Sequence, residues 1–346
     1  MVTLGTDSHK ATHTFVAVDE AGAQLSQSTF RADEEGHLKA LKWAGQWCDR
    51  RWALEDCRHL SRRLERDLLG AGEKVVRVPP KLMAGARNSA RTRGKSDPID
   101  ALAVARAAQR EPGLPAAELD GPSRELRLLV AHREDLVAER TRVQNRLRWH
   151  LHELAPGTEP AGRTLDRRKV LEALEIQLAN YDGVVADIAR ELVDHVRRLS
   201  ERIDQLEREI RSRTARLAPS LLSLSGCAAL TAAKLVGETG RASRFKSRAA
   251  FAMHNGTAPI PVWSGRADRF RLNRGGNRQL NVALHRIAIT QMRLEGAGKT
   301  YIAKRLSHGN TKTEAIRALR RRISDEVYRR LWQDEQVAAA CAEQAA

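Results

Sequence analysis

The spacing of apolar and polar positions changes character three times along the chain. Over residues 1–110 it alternates between short apolar runs and helical periodicity. VTLGTD and THTFVAVD read as strands, EAG as the turn after the second, and AQLSQSTFRA as a third strand completing an antiparallel meander. EEGHLKALKWAGQWC is an amphipathic helix and RWALEDC a short buried strand. HLSRRLERDLLGAG is a helix stopped by glycines, and EKVVRVPP a further strand.

From residue 123 the pattern is helical. Residues 123–155 carry Leu126, Leu129, Leu136, Val143, Leu147, Leu151 and Leu154 on one stripe, and the linker APGTEPAG follows. A second helical region over 165–217 places Val196, Leu199, Ile203, Leu206 and Ile210 at steps of three and four, a heptad seam. An antiparallel pair within one chain and an intermolecular coiled coil both satisfy this pattern. Most charges on this arm are read as solvating it. After Pro219 the stretch LLSLSGCAALTAAKLVGETG reads as helix, glycine turn and helix, an arrangement that can present backbone N–H groups to a phosphate. The expectation is α/β plus α: an α/β domain over 1–115, a helical coiled-coil region over 116–218 and a mainly helical domain over 219–346. Three antiparallel strands followed by alternating strand and helix is the order of ribonuclease-H-like domains.

Charge sharpens this picture. The 346 residues hold 60 Lys and Arg against 43 Asp and Glu, a formal charge of +17, which calls for a polyanionic partner. Nucleic acid is the first expectation and an anionic membrane surface the second. No apolar run approaches the roughly 20 residues that span a bilayer, and MVTLGTDSHK lacks the order of a signal peptide, so a cytoplasmic protein is expected. Cys48, Cys57, Cys227 and Cys341 lie far apart without a C-x-x-C pair, which argues against disulfides or a zinc knuckle. Aromatic residues are 4% of the chain, so phosphate contact by Lys and Arg is expected rather than base stacking. Residues 241–290 carry ten Lys or Arg and one acid, Asp268, and form the candidate nucleic-acid surface. Within it RGGN (274–277) reads equally as a plain turn or as a close backbone approach to phosphate. The charges of RALRRRISDEVYRRL (317–331) are read as solvating a terminal helix, and His285 as a packed or surface histidine.

Two acids stand out inside the basic stretch ARTRGKSDPIDALAVARAAQR: Asp97 and Asp100, around Pro98. By themselves they describe a helix start, with Asp97 as N-cap, Pro98 at the first position and Asp100 in the first turn. Asp7 closes the first strand, however, and Glu55 lies at the end of RWALEDC. In an α/β domain of this order those strand ends lie close in space. Four carboxylates there repel one another unless hard cations hold them, and two-metal sites of that kind serve in-line phosphoryl displacement.

GTDSHK, ALEDC and KSDPIDA resemble the D, E, D, D positions of the DEDD transposases of the insertion-sequence-one-ten family, which includes the Piv/MooV DNA invertases. GTAPIPVWSGRADRFRLNRGGNRQLNVALHRIAITQ is similar to that family's second signature domain, so the resemblance runs from Asp7 to about Gln291. It implies a RuvC-like ribonuclease-H-fold domain, a coiled-coil middle and a carboxy-terminal transposase domain with a nucleophilic serine. Asp7, Glu55, Asp97 and Asp100 would hold Mg²⁺ (or Mn²⁺), and Ser264 would attack DNA and form a phosphoserine link. Arg91, Arg93, Lys95, Arg266, Arg269, Arg271, Arg274, Asn277 and Arg278 would contact nucleic acid. The implied partners are double-stranded DNA at element ends and target, a structured non-coding guide ("bridge") RNA, and further copies of the chain as a dimer or tetramer. Two departures are Trp263 where many members have serine, and Ser225 in place of the proline of L-P-G.

Ser264 on its residues alone is a turn serine before glycine with no histidine beside it. A serine hydroxyl needs an activating base or metal, so the carboxylate site is its expected source of activation. A hydrolytic RuvC-like endonuclease or resolvase, with Ser264 structural, is the rival function. An architectural nucleic-acid-binding protein without cleavage is the third.

Overall fold

A computed structural model describes residues 1–80, 82–83, 96–111, 113–114, 116–119, 121–262 and 270–345. Of the residues singled out above, Arg91, Arg93, Lys95, Ser264, Arg266 and Arg269 lie outside the described residues. The chain divides into two compact units, Met1–Asp120 and Gly121–Ala346.

The first unit is built on a five-stranded sheet. Its strands are β1 (Val2–Ser8), β2 (Thr12–Val18), β3 (Gln24–Arg31), β4 (Arg50–Glu55) and β5 (Val75–Val78), in the spatial order β3-β2-β1-β4-β5. β2 runs antiparallel to both β1 and β3, whereas β4 is parallel to β1 and β5 to β4. Helices α1 (Glu34–Ala44) and α2 (Arg58–Gly70) cover one face, where Leu4, Phe15, Trp52, Leu54, Leu64 and Leu68 are buried. Helix α3 (Asp97–Arg110) covers the other, packing Ala101, Val104, Ala105 and Ala108 against Val16, Val18 and Ala53. Small residues dominate that contact, so helix and sheet approach closely. At Gly5 they meet: a Cβ there would lie 2.1 Å from the Ala101 carbonyl oxygen.

On the α1/α2 face His13 is 2% exposed, its ring stacked on His37 at 5.4 Å between centroids, and His37 Nδ1 bonds the Asp67 carboxylate at 2.6 Å. Burial, reinforced by the neighbouring His37 and His9, lowers the His13 pKa to about 4. The unfolded chain takes up this proton near pH 6.5 and the folded chain only near 4. Stability from this group is therefore full above pH 6.5 and falls as pH drops towards 4, by about 3 kcal/mol. Urea unfolding at pH 7, 5.5 and 4.5 checks this against His13→Gln, in which that part of the acid loss is expected to vanish. Parallel pH profiles for the two proteins would refute it.

The second unit is helical apart from one short hairpin. Helices α4 (Pro122–Leu154), α5 (Arg168–Leu178) and α6 (Val184–Leu217) come first. α4 and α6 pack antiparallel within one chain, as the pairs Arg133–Glu207 and Arg140–Ser200 show. The second helical region of the sequence is broken before α6, where Gly183 takes φ 97°, a conformation open to glycine at little cost. The outer parts of the long helices share a core with α5 through Leu147, Leu151, Leu171, Leu174, Val193 and Val196. Their other ends, through Leu126, Leu206 and Ile210, belong to the core of the later helices. Those are α7 (Pro219–Leu222), α8 (Ala229–Thr239), α9 (Arg248–His254), α10 (Arg278–Arg293), α11 (Ala297–Ser307) and α12 (Lys312–Ala345). Buried Lys234 of α8 ties three of these helices together, reaching Glu134 of α4 at 2.6 Å and Gln279 of α10 at 2.7 Å. No helix among the described residues is long and apolar enough to cross a membrane.

Candidate metal centre and nucleic-acid surface

Strand alternation selects the face on which the acids stand. Leu4 points into the α1/α2 core and Gly5 towards α3, so Asp7, two residues on, shares the α3 side. Glu55 follows Leu54, whose register partner is Thr6, just as Asp7 follows Thr6. It alternates with Ala53, which packs against α3, so both acids end neighbouring parallel strands on one face. α3 starts over those strand ends. Its first turn carries Asp97 and Asp100. Ser96, not Asp97, holds the N-cap position, and Pro98 is the second helical residue, because the first intrahelical bond runs from Asp100 N–H to the Ser96 carbonyl. That start shifts Asp97 from capping into the first turn, where the positive helix end favours its charge.

One oxygen each of Asp7 and Asp97 and the Nε2 of His9 lie within 4.8 Å of one another. His9 Nε2 donates to Asp7 Oδ2 at 3.1 Å and lies 3.4 Å from Asp97 Oδ1. Asp7 is 7% exposed and Asp100 8%, while the Asp97 carboxyl opens to solvent. Burial raises the Asp7 pKa; His9 opposes the rise, and the Asp100 and Asp97 charges add to it. The Cys57 thiol is also pushed up, first by burial and then by Glu55, with Asp7 contributing. Glu55, at the end of the neighbouring strand, and Asp100 are not among the three side chains whose ligand atoms meet here.

This donor set fits a hard divalent cation. Converging carboxylates on a half-closed strand end disfavour one another's ionised form, and His9 is the ring that the described residues set between two of them. The His9 side chain is 50% exposed and can leave the carboxylates when a cation occupies their oxygens. His9 is the residue that reading the sequence for acids missed. The available signal was the period of β1: position 9, two beyond Asp7, continues the same side of the strand.

The serine loop joins β6 (Ile260–Pro261) and β7 (Phe270–Arg271), which pair antiparallel. Arg271, Arg274 and Arg278, after it in the chain, are exposed. Asn277 is differently employed. Its Oδ1 caps α10 by accepting from the N–H groups of Gln279 and Leu280, and its Nδ2 donates to Glu238 at 2.8 Å. In RGGN, Gly276 abuts the Gly256 backbone, where a Cβ would sit 2.3 Å from the Gly256 nitrogen, so that glycine serves internal packing. Part of the basic window is neutralised internally, Arg241 by Glu335 of α12 at 3.2 Å.

Carboxylates gathered on a mixed sheet suit a divalent cation, and the strongly basic helical unit of the same chain suits a polyanion. Sequence comparison narrows the class. A transposase family model designated DEDD_Tnp_IS110 matches residues 4–156, and that of the IS116/IS110/IS902 transposase family matches residues 218–303. The 44.8 kDa protein of insertion element IS116 from Streptomyces clavuligerus is 30% identical over 377 aligned positions, covering 94% of this chain and 93% of that one. The 42 kDa protein of insertion element IS900 from Mycobacterium paratuberculosis is 26% identical and covers 93% of each. Among solved structures, T. thermophilus RuvC in complex with a Holliday junction substrate matches 34% of this chain and 99% of its own, at 14% identity and a TM-score of 0.27. The chain belongs to the IS116/IS110/IS902 family of transposases.

Proposed function

We propose that the protein moves an insertion sequence by Mg²⁺-dependent cleavage and exchange of DNA strands, with Ser264 as nucleophile and a guide RNA as partner. The observation that carries this reading is the meeting of Asp7, His9 and Asp97 at the strand ends, with Asp100 within electrostatic reach of Asp7. Asp7, Glu55, Asp97 and Asp100 would hold Mg²⁺, with Mn²⁺ able to replace it, on a RuvC-like, ribonuclease-H-type sheet. The bound cation would supply Lewis-acid stabilisation of charge at the scissile phosphate. His9 separates the acids until that point, its Nε2 lying 3.1 Å from Asp7 and 3.4 Å from Asp97.

In the cleavage step the Ser264 Oγ–phosphorus bond forms and the phosphorus–oxygen bond to the departing strand breaks; the serine proton passes to solvent and the departing oxygen takes one from solvent to leave as a hydroxyl. Arg266, Arg269, Arg271 and Arg274 offset charge on the phosphate, and Arg91, Arg93 and Lys95 hold the backbone. The reversed step, by a strand hydroxyl on the phosphoserine, restores the DNA and the serine. The work needs both element ends and a target, and we assign it to a dimer or tetramer.

The test uses the full chain with Mg²⁺, element-end DNA and the non-coding RNA transcribed beside the gene. Wild type is expected to give a protein–DNA adduct that survives a denaturing gel, and Ser264→Ala none. Cleavage by Ser264→Ala to free 5′-phosphate and 3′-hydroxyl ends would establish hydrolysis at the acids instead and overturn the serine assignment.

A further inference from the structure

Three of the six arginines of α12 are neutralised by carboxylates of the same helix. Arg321 pairs with Asp325, Arg329 and Arg330 with Glu326, and Arg322 lies over the Tyr301 ring at 4.2 Å. Arg317 and Arg320 behave otherwise. They step by three along the part of the helix that packs on α10, whose Arg278, Asn281 and His285 step by three and four. Among the described residues no carboxylate forms an ion pair with Arg278, Arg317 or Arg320. Glu314, the nearest acid on α12 towards its start, accepts from the amide and hydroxyl of Thr311 and lies within electrostatic reach of Arg317 without forming an ion pair with it.

Arg320 is the centre of the group and is held in place. One of its terminal nitrogens donates to Asn281 Oδ1 at 2.9 Å. Asn281 is oriented in turn by its own Nδ2, which donates to the Asn255 carbonyl at 2.9 Å, and Asn255 is buried with its Nδ2 on Ser324 Oγ at 2.8 Å. The Nε of Arg320 is buried with no acceptor. Burial and the charges of Arg317 and Arg278 both work against its protonated form. Burial and Arg320 likewise lower the pKa of His285, which favours a neutral ring at the rim of the group. A guanidinium held by Asn281, partly buried and facing two like charges is costly in the free protein, and an anion at its accessible edge offsets that charge.

We propose that Arg278, Arg317 and Arg320, with Asn281 as support and His285 at the rim, form a phosphate-binding site for the backbone of duplex DNA. Guanidinium groups match phosphate oxygens in paired hydrogen bonds, and several at helical spacing suit successive phosphates. The group includes no Phe, Tyr or Trp, the large rings on which successive unstacked bases are held, and its donors suit backbone phosphates. This inference rests on the reading of the protein as one that acts on DNA, and it gives the α10/α12 face its own share of that binding.

The experiment measures binding of labelled duplex DNA by the full chain over a series of salt concentrations, without divalent cation so that cleavage plays no part. Arg278→Gln plus Arg317→Gln, both exposed positions, is expected to flatten the plot of log affinity against log salt by about 0.9 for each phosphate contact removed. Arg320→Gln is expected to flatten it similarly, and Arg320→Lys to restore the slope while leaving affinity below wild type. Arg168→Gln, which removes an arginine already paired with Glu172 on α5, is expected to leave the slope unchanged. Thermal melting confirms that each variant is folded. An unchanged slope in the double variant, or equal flattening by Arg168→Gln, overturns the site. A larger effect on a structured RNA than on the duplex overturns DNA as its occupant. Failure of metal-dependent cleavage with the slope effect intact would instead count against the proposed chemistry alone.

Discussion

Asp7→Asn is expected to lower metal-dependent DNA cleavage by about a thousandfold while leaving the chain at least as stable as wild type. The activity loss follows from removing a ligand charge at the centre of the cluster, where metal-assisted stabilisation is worth several kcal/mol, about 1.4 for each factor of ten. The stability result follows from the sign of the Asp7 shift. Burial and the neighbouring Asp97 and Asp100 raise its pKa in the fold, so its ionised form opposes folding at neutral pH. Asparagine keeps an acceptor for His9 Nε2 and removes that charge. The stability gap between variant and wild type should therefore be widest near pH 7 and close as pH falls through the ordinary carboxylate range. Mg²⁺ should raise the melting temperature of wild type and not of the variant, a readout independent of catalysis. A variant that melts well below wild type at pH 7, or that responds equally to Mg²⁺, would show that Asp7 is a structural acid.

The second large effect belongs to a residue without a functional group. Gly5→Ala would place a Cβ 2.1 Å from the Ala101 carbonyl oxygen, 2.5 Å from the Ala105 nitrogen and 2.7 Å from the Ala105 Cβ. Two of these are backbone atoms, so α3 itself must lift from β1. Overpacking of this kind costs about 3 kcal/mol. Lifting α3 also carries Asp97 and Asp100 away from Asp7, and a displacement of about 1 Å at reacting groups can cost a hundredfold in rate. Both losses are expected together, measured by urea unfolding and by cleavage. Adding Ala105→Gly removes the Cβ contact and leaves the Ala101 carbonyl in place, so the double variant should stay impaired. Full recovery in it would mean that side-chain crowding alone, and not helix position, sets the effect.

How far the acids were legible follows from the same geometry. Alternation along VTLGTD marks a strand, and the rhythm of RWALEDC marks another, so both strand ends are visible as positions with an acid. Their adjacency is a matter of sheet order. Local patterning does not determine that β4 lies beside β1, because the parallel pairing of Leu4 with Trp52 joins segments separated by β2, β3 and α1. The capping position of Asp97 was misjudged by one residue because Ser96 and Asp97 are both acceptable caps, and the backbone at Ser96, extended at φ −152° and ψ 152°, decides between them. Asn277 shows the reverse case. In a basic window it reads as a nucleic-acid contact, yet its side chain is taken up by the start of α10 and by Glu238.

The arginines of α12 make the division clearest. Arg317, Arg320, Arg321, Arg322, Arg329 and Arg330 look alike in RALRRRISDEVYRRL, and helical spacing to Asp325 and Glu326 explains the neutralised ones from sequence alone. Arg320 becomes distinct only when α10 is laid against α12 and Asn281 meets it. The sequence by itself determined the element types, the two charge regimes and the identity of the candidate acids, because strand and helix periods and formal charge are local properties. Tertiary structure decided which acids share a face, that His9 stands between two of them, and which arginines lack a carboxylate. Those depend on non-local packing: the parallel register of β1 and β4, the closeness that Gly5 allows to α3, and the seating of α12 on α10.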